Sequence, residues 1–228
     1  QMCKGLIVAT FCPAFTLFLS KWGYSNGYCG LQAPSEKTYS LTIQAIFIFF
    51  FTDFYEYVYH YIGHYYNYFW EVHRHHHKFY NPSPFAVIAD EYLDQFVRTW
   101  PMVIIPAITP TNMDLLFAIY VTLFYGYGVY LHWGYESPLL STHNPIFNTA
   151  YHHYMHHAIS VKNRPIYTGF FFKLWDQICN TNNPNPCSCV ECRPKRTIEE
   201  WNQEKKYDYS CLLSVNWWLT SNTAAMGE

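Results

Sequence analysis

The sequence predicts an all-α integral membrane protein, with about four transmembrane or membrane-dipping helices and a cytosolic, helical, histidine-rich metal-binding cap. Three observations predict this class. Hydrophobic residues make up 50% of the 228 residues and charged residues only 13%, about half the charge of an ordinary soluble domain. Three apolar stretches follow one another within the first 133 residues. All 12 histidines lie in regions that these stretches leave on one side of a bilayer.

The apolar stretches predict the membrane elements in order. Residues 5–20 are short for a full span, which needs about 20 residues, and Pro13 predicts a kink in that helix. Residues 41–61 are long enough to cross the bilayer. Residues 100–133 form two apolar halves around the turn PTNMD, and we expect a helical hairpin that dips into the bilayer or crosses it twice.

The basic residues predict the orientation of these elements. Of the 14 lysines and arginines, only Lys21 and Lys37 lie in the loop on the opposite side. Because basic residues favour the cytosolic side, we expect residues 60–98 and 132–228 in the cytosol, together with every histidine. The net charge of −2 gives no support for a nucleic-acid partner.

The composition changes near residue 180. We expect a membrane domain over 1–180, with the histidine clusters at 60–157, and a polar cytosolic C-terminal tail over 181–228. In the tail, TIEEWNQEKKYDY predicts a short helix. The run CSCVEC could bind zinc, but thiols without a distant second pair are a weak signal, and a reduced tail without metal is the favoured interpretation. The chain begins with Gln1 rather than Met, which predicts missing N-terminal residues, and no cleavable signal peptide is recognisable.

The histidines recur at helical spacing. HYIGH places two of them one turn apart, and the pattern H-x-x-H-H occurs twice, so we expect each cluster to present its histidines on one helix face. Neutral imidazole binds iron, zinc and copper, and so many nitrogens exceed the needs of one ion and suit two ions a few ångströms apart. The candidate metal ligands are His60, His64, His73, His76, His77, His132, His153, His156 and His157.

Other patterns limit the kind of metal protein. The chain lacks the aligned Glu and Glu-x-x-His residues of carboxylate-bridged di-iron bundles. It also lacks H-E-x-x-H, which excludes the common metalloprotease site. His75 and His152 remain open between a role beside the metal ligands and a solvated position, and we expect His143 to be a core or interface residue.

Three boxes in order resemble the fatty acid hydroxylase superfamily of membrane oxidases: HYIGH, HRHHH read as H-x-x-H-H, and HYMHH. The resemblance covers about residues 53–181. Within the superfamily the chain is most similar to the sterol C-5 desaturases. The features that carry this finer similarity are PSPFA (82–86), the spacing of Pro101, Pro106 and Pro110, the paired histidines of AYHHYMHH, and KLWDQI (173–178).

Three segments depart from that pattern. NRPIYTG (163–169) is longer than the corresponding family segment and altered, and ADEY (89–92) stands where His-Pro is common. HWGYE (132–136) is also similar to the sterol C-4 methyl oxidases.

The resemblance implies an O2-dependent sterol desaturase that introduces the C-5 double bond into a Δ7-sterol. It implies two iron ions held by the nine histidines, although such a site also binds zinc in purified protein. It further implies electrons from cytochrome b5 and an NAD(P)H-dependent reductase, a sterol or other lipid substrate that enters from the membrane lipid, and the endoplasmic reticulum membrane. Asp53, Glu136 and His152 are candidates for orienting the imidazoles. A sterol C-4 methyl oxidase or other lipid hydroxylase, and a non-catalytic membrane zinc-binding protein, remain alternatives.

Overall fold

The computed structural model describes residues 2–31, 38–78 and 83–192. In these ranges the fold is almost entirely helical. The α-helices are α1 (Met2–Lys21), α2 (Leu41–Tyr65), α3 (Asn67–His73), α4 (Tyr92–Arg98), α5 (Pro101–Ile108), α6 (Met113–Ile119), α7 (Gly126–Leu131), α8 (Ala150–Ile159) and α9 (Leu174–Ile178). Short 3-10 helices occupy His76–Lys78 and Pro84–Ile88, and a π-helical turn at Tyr120–Tyr125 joins α6 to α7. Strands β1 (Gly27–Tyr28) and β2 (Thr111–Asn112) pair in parallel.

The long helix α2 carries an exposed apolar face. Its first turn is capped by Ser40, whose Oγ accepts a hydrogen bond from the Ile43 backbone N–H. Ile43, Phe47, Phe50 and Phe54 are all exposed, and their spacing places them along one side of the helix. A contiguous exposed apolar face of this kind is typical of a surface that contacts lipid or a partner.

Two helical segments among the described residues are long and apolar enough to cross a bilayer, namely Leu41–Tyr65 and Met113–Leu131. Leu6–Lys21 is a shorter apolar helix. The first arm of the expected hairpin is α5, which has eight residues and is therefore about 12 Å long. Since a bilayer core is about 30 Å thick, only the second arm has the length of a span.

The core lies between α2, α5 and the Met113–Leu131 segment. Its fully buried apolar side chains are Ile48, Met102, Ile105, Leu116 and Leu131. This packing positions the histidines, because the C-terminal end of α2 carries His60 and His64 and the end of α7 leads directly into His132.

The chain divides into two compact units, Gln1–Asn183 and Pro184–Glu228. Residues 184–192 of the second unit are described, and they contain a turn in which the Cys192 N–H donates to Cys189 O at 3.1 Å. The helix expected at TIEEWNQEKKYDY lies outside the described residues.

Candidate metal centre

Nine histidines converge in two neighbouring groups in the described part of the first unit. In each group one ligand nitrogen of every ring lies within 4.8 Å of the others. The first histidine group contains His60, His64, His73, His77 and His156, and the second contains His76, His132, His153 and His157. The structure therefore brings together every residue that the sequence predicts as a metal ligand. His75, which is half-buried, and His143, which is exposed, lie outside both groups.

Each H-x-x-H-H box serves both groups, whereas the sequence predicts one shared face for each box. In the second box, α3 ends at His73, and His76 and His77 lie in the 3-10 helix that follows. His73 and His77 join the first group while His76 joins the second.

The third box lies on α8 and is also divided. His153 and His157, one turn apart, point into the second group, and His156 points into the first. The two groups are close enough for their rings to touch, since the centroids of His77 and His157 lie 4.8 Å apart.

A glycine in the first box allows two elements to approach. Gly63 lies between His60 and His64 on α2, and the His73 ring of α3 packs against it. A Cβ at this position would lie 3.2 Å from His73 Cγ, which is tighter than an ordinary contact. Glycine in the HYIGH box thus lets α3 place His73 in the first group without a shift of that ring.

Backbone carbonyls fix the tautomer of three of these rings. His60 Nδ1 lies 3.1 Å from Thr168 O, and His156 Nδ1 lies 2.6 Å from Ile166 O. In the second group, His132 Nδ1 lies 2.7 Å from Gly128 O. A carbonyl oxygen only accepts hydrogen bonds, so each Nδ1 carries the proton and each Nε2 of the neutral ring keeps its lone pair.

Several Nε2 atoms within each group lie close to one another. In the first group, His156 Nε2 lies 3.2 Å from His64 Nε2 and 3.1 Å from His77 Nε2. In the second, His132 Nε2 lies 2.9 Å from His153 Nε2 and 3.4 Å from His76 Nε2. Two nitrogens bound at about 2.1 Å to one ion are about 3.0–3.4 Å apart, so both groups have the spacing of a metal-ligand set.

Unpartnered nitrogens and neutral rings support the same conclusion. Within the described residues, the buried Nε2 atoms of His60 and His73 have no hydrogen-bond partner, which is costly unless a cation binds them. Burial, reinforced by neighbouring imidazoles, lowers the pKa of six imidazole rings outside the candidate membrane spans well below its ordinary value. These rings belong to His73, His77, His132, His153, His156 and His157. The neutral imidazole is the form that binds a metal.

Two carboxylates that sequence reasoning missed contact the outer nitrogens of the second box. Asp94 Oδ2 lies 3.3 Å from His73 Nδ1, and Asp90 Oδ1 lies 3.0 Å from His76 Nδ1. All four side chains are at most 5% exposed. Metal-binding histidines commonly donate their second N–H to a carboxylate, which fixes the ring and raises its basicity.

Arg98 balances the charge of this buried cluster. Its Nε lies 3.2 Å from Glu56 Oε2, and its Nη1 lies 3.2 Å from Asp90 Oδ2. Burial acts to raise the pKa of Asp90, but His76 and Arg98 together hold it below its ordinary value. Burial raises the pKa of Asp94 to about 7, against the opposing effect of Arg98.

The segment 163–169 supplies two of the carbonyls that hold imidazoles. Tyr167 has a φ of 52°, a left-handed conformation that turns the chain between the carbonyls on either side. Asp176 fixes this turn, because it accepts hydrogen bonds from Thr168 N at 2.9 Å and Gly169 N at 3.0 Å. The segment therefore bears on the candidate metal centre through its backbone.

Asp53, expected to orient an imidazole, has backbone and indole partners. It accepts hydrogen bonds from Phe171 N at 2.8 Å and from Trp175 Nε1 at 2.7 Å. These contacts fasten α2 to the segment that follows the two imidazole-binding carbonyls. Any effect of Asp53 on the histidines therefore passes through that backbone.

The other two residues expected to orient imidazoles also have different partners. His152 Nδ1 lies 3.2 Å from Thr149 N and forms the capping box of α8. Burial lowers the pKa of His152 to about 3, so the ring is neutral and can accept this bond. Glu136 accepts a hydrogen bond from Thr142 Oγ1 at 3.0 Å.

An apolar cavity of about 280 Å³ lies near the start of α2. Its lining residues are Tyr39, Ile43, Gln44, Phe47, Ile48, Ile105, Thr109 and Thr111. Gln44 precedes His60 by 16 residues, which is about 24 Å along the helix. This cavity is therefore separate from the histidine groups.

Comparisons with known proteins agree with the geometry. A family model described as fatty acid hydroxylase matches residues 45–181. A Delta(7)-sterol 5(6)-desaturase of Eremothecium gossypii is 27% identical, over 85% of this chain and 52% of that protein. Lathosterol oxidases of Homo sapiens and Rattus norvegicus are 28% and 30% identical, over 82% and 73% of this chain and 60% and 54% of those proteins. The chain spans about half the length of the curated relatives it matches. No solved structure matches it.

Proposed function

Because the chain belongs to the fatty acid hydroxylase family, we propose that it is an O2-dependent di-iron sterol desaturase that introduces the C-5 double bond into a Δ7-sterol. The family is di-iron dependent. The names of the relatives, Delta(7)-sterol 5(6)-desaturase and lathosterol oxidase, support the substrate class. The observation that carries the proposal is the pair of neighbouring imidazole groups whose Nε2 lone pairs converge.

Each histidine group would hold one iron ion. When bound, the iron supplies the O2 chemistry that removes hydrogen from an unactivated C–H bond, which acid–base side chains cannot do. The residues of the chain keep the imidazoles neutral by burial and hold the outer nitrogens with carbonyls and carboxylates. This preorganisation fixes where the oxidising centre lies relative to a bound lipid.

The proposed setting is the endoplasmic reticulum membrane. We infer a multi-pass protein with about four transmembrane or membrane-dipping helices, with the histidine groups facing the cytosol. The exposed apolar face of α2 and the distribution of basic residues support this orientation. Cytochrome b5 and an NAD(P)H-dependent reductase would then deliver electrons from the cytosolic side, and the sterol would enter from the bilayer.

Sterol profiling tests the proposal. The chain is expressed in a host that lacks Δ7-sterol 5-desaturase activity, and the sterols are separated and quantified. We expect Δ7-sterols to decrease and Δ5,7-dienes to appear. Consumption of 4-methyl sterols instead would identify a C-4 methyl oxidase. Bound zinc without any sterol conversion, at normal expression, would identify a non-catalytic metal-binding protein.

A matched pair of variants ties the activity to the histidine groups. His153→Ala or His156→Ala should abolish sterol conversion while the protein still inserts into the membrane. His75→Ala changes a neighbouring histidine outside both groups and should retain activity. Full conversion by His153→Ala would refute the metal assignment.

A further inference from the structure

Three cysteines in the second unit form a cluster that the proposed oxidase does not use. The Sγ atoms of Cys187, Cys189 and Cys192 all lie within 4.8 Å of one another. The Cys192 N–H donates to Cys189 O at 3.1 Å and closes a turn between the last two cysteines. Cys189 is fully buried, whereas a thiol in a purely solvated tail would be exposed to water.

We propose that these three thiols bind one zinc ion as thiolates in a structural site. Zinc prefers tetrahedral sites rich in cysteine, with Zn–S distances of about 2.3 Å. Two sulfurs on such an ion lie about 3.8 Å apart, so the cluster needs to contract by about an ångström at most. Three thiolates leave one tetrahedral position for water or a further side chain.

The size of the second unit supports a stabilising role for the ion. Pro184–Glu228 comprises 45 residues, and units of this size usually need a metal, disulfides or a partner to compensate for a small core. Binding of zinc would release three thiol protons and transfer no electrons. A thiolate site is also chemically distinct from the all-histidine groups, so the two kinds of site can be measured separately.

Thiol-directed release of zinc tests the proposal. The full chain is purified in detergent under reducing conditions, loaded with Zn²⁺, freed of unbound metal and titrated with an organic mercurial, which attacks thiolates but not imidazoles. We expect release of about one zinc ion per chain. The triple variant Cys187→Ser, Cys189→Ser, Cys192→Ser should release none, although its histidine groups still hold metal.

The control is the double variant Cys29→Ser, Cys179→Ser, which removes two exposed cysteines of the first unit and should release zinc as the parent does. Loading with Co²⁺ gives an independent readout, because thiolate ligands produce an intense charge-transfer absorption. This band should appear in the parent and the control and be absent from the triple variant.

Three results would overturn the proposal. The first is equal zinc release by the parent and the triple variant. The second is peptide mapping that finds a disulfide between any two of the three cysteines in the reduced, metal-loaded preparation. The third is the absence of the cobalt charge-transfer band from the parent protein, which decides the matter even if the triple variant fails to accumulate. None of these results bears on sterol conversion.

Discussion

The contact between Asp94 and His73 offers a direct test of how the metal centre is built. Their side chains are 3% and 5% exposed, and Asp94 Oδ2 lies 3.3 Å from His73 Nδ1. Asp94→Asn keeps an oxygen that accepts the His73 N–H but removes the charge, whereas Asp94→Ala removes both. Burial raises the pKa of Asp94 to about 7, so the comparison belongs at about pH 8, where the carboxylate is largely ionised.

The expected effect follows from the role of the contact. Removing the outer partner of a metal-binding histidine typically lowers metal affinity about 10–100-fold, which is about 1.4–2.8 kcal/mol. Asp94→Ala also leaves a buried N–H without an acceptor, at a further cost of about 1–3 kcal/mol. We therefore expect about a tenfold loss of affinity at the first histidine group in Asp94→Asn and at least a hundredfold loss in Asp94→Ala. The second group should keep its ion.

Dialysis against graded chelator, followed by elemental analysis, measures the ions retained per chain, and sterol conversion is assayed on the same samples. Glu91→Gln is the matched control. It removes a carboxylate three residues earlier that pairs with Lys4 at 2.9 Å. If Asp94→Ala retained both ions at the chelator concentrations that Glu91→Gln tolerates, the assigned role of Asp94 would be wrong.

Three further outcomes follow from the same cluster. Asp90→Asn removes the charge beside His76 of the second histidine group and should likewise lower the retention of one ion per chain in the same dialysis. Arg98→Met leaves buried carboxylates uncompensated and should lower the free energy of unfolding by about 3–5 kcal/mol. Arg74→Met, at an exposed ion pair, should cost less than about 1 kcal/mol in the same denaturation assay. The metal-depleted protein should lose stability as pH falls below about 6.5. The buried imidazoles have depressed pKa values. Below pH 6.5 the unfolded chain therefore binds more protons than the folded chain, and each such ring lowers the free energy of unfolding by about 1.4 kcal/mol at pH 5.5. A melting temperature constant between pH 8 and 5.5 would contradict this.

The set of candidate metal ligands could be proposed from the sequence because it depends on local properties. Imidazole is a metal ligand, and the recurrence of histidine three and four residues apart is visible in the sequence. Their division between two groups could not be predicted in the same way. It depends on tertiary packing, since the first and last histidines of each H-x-x-H-H box join one group and the middle one joins the other, both within α8 and where α3 ends at His73.

The spacing of the carboxylates is visible in the sequence, but the residues that they contact are not. Asp94 and Arg98 are four residues apart on α4 and therefore lie on one side of that helix, and Asp90 lies just before the helix begins. Nothing in that spacing reveals that Asp94 faces His73, which lies 21 residues away in sequence. The contact of Asp53 with the Phe171 backbone spans 118 residues and is likewise a product of tertiary packing alone.

The segment 163–169 explains how the chain can depart from the expected family pattern at a place so close to the metal centre. The segment contributes two backbone carbonyls to His60 and His156, and every residue type has a backbone carbonyl. To place these carbonyls, the segment needs the positive φ of Tyr167 and the hydrogen bonds that the next two backbone amides donate to Asp176. Other side chains in this segment can therefore change while the tautomers of both imidazoles stay fixed, provided that Gly169, Asp176 and the turn at Tyr167 are kept.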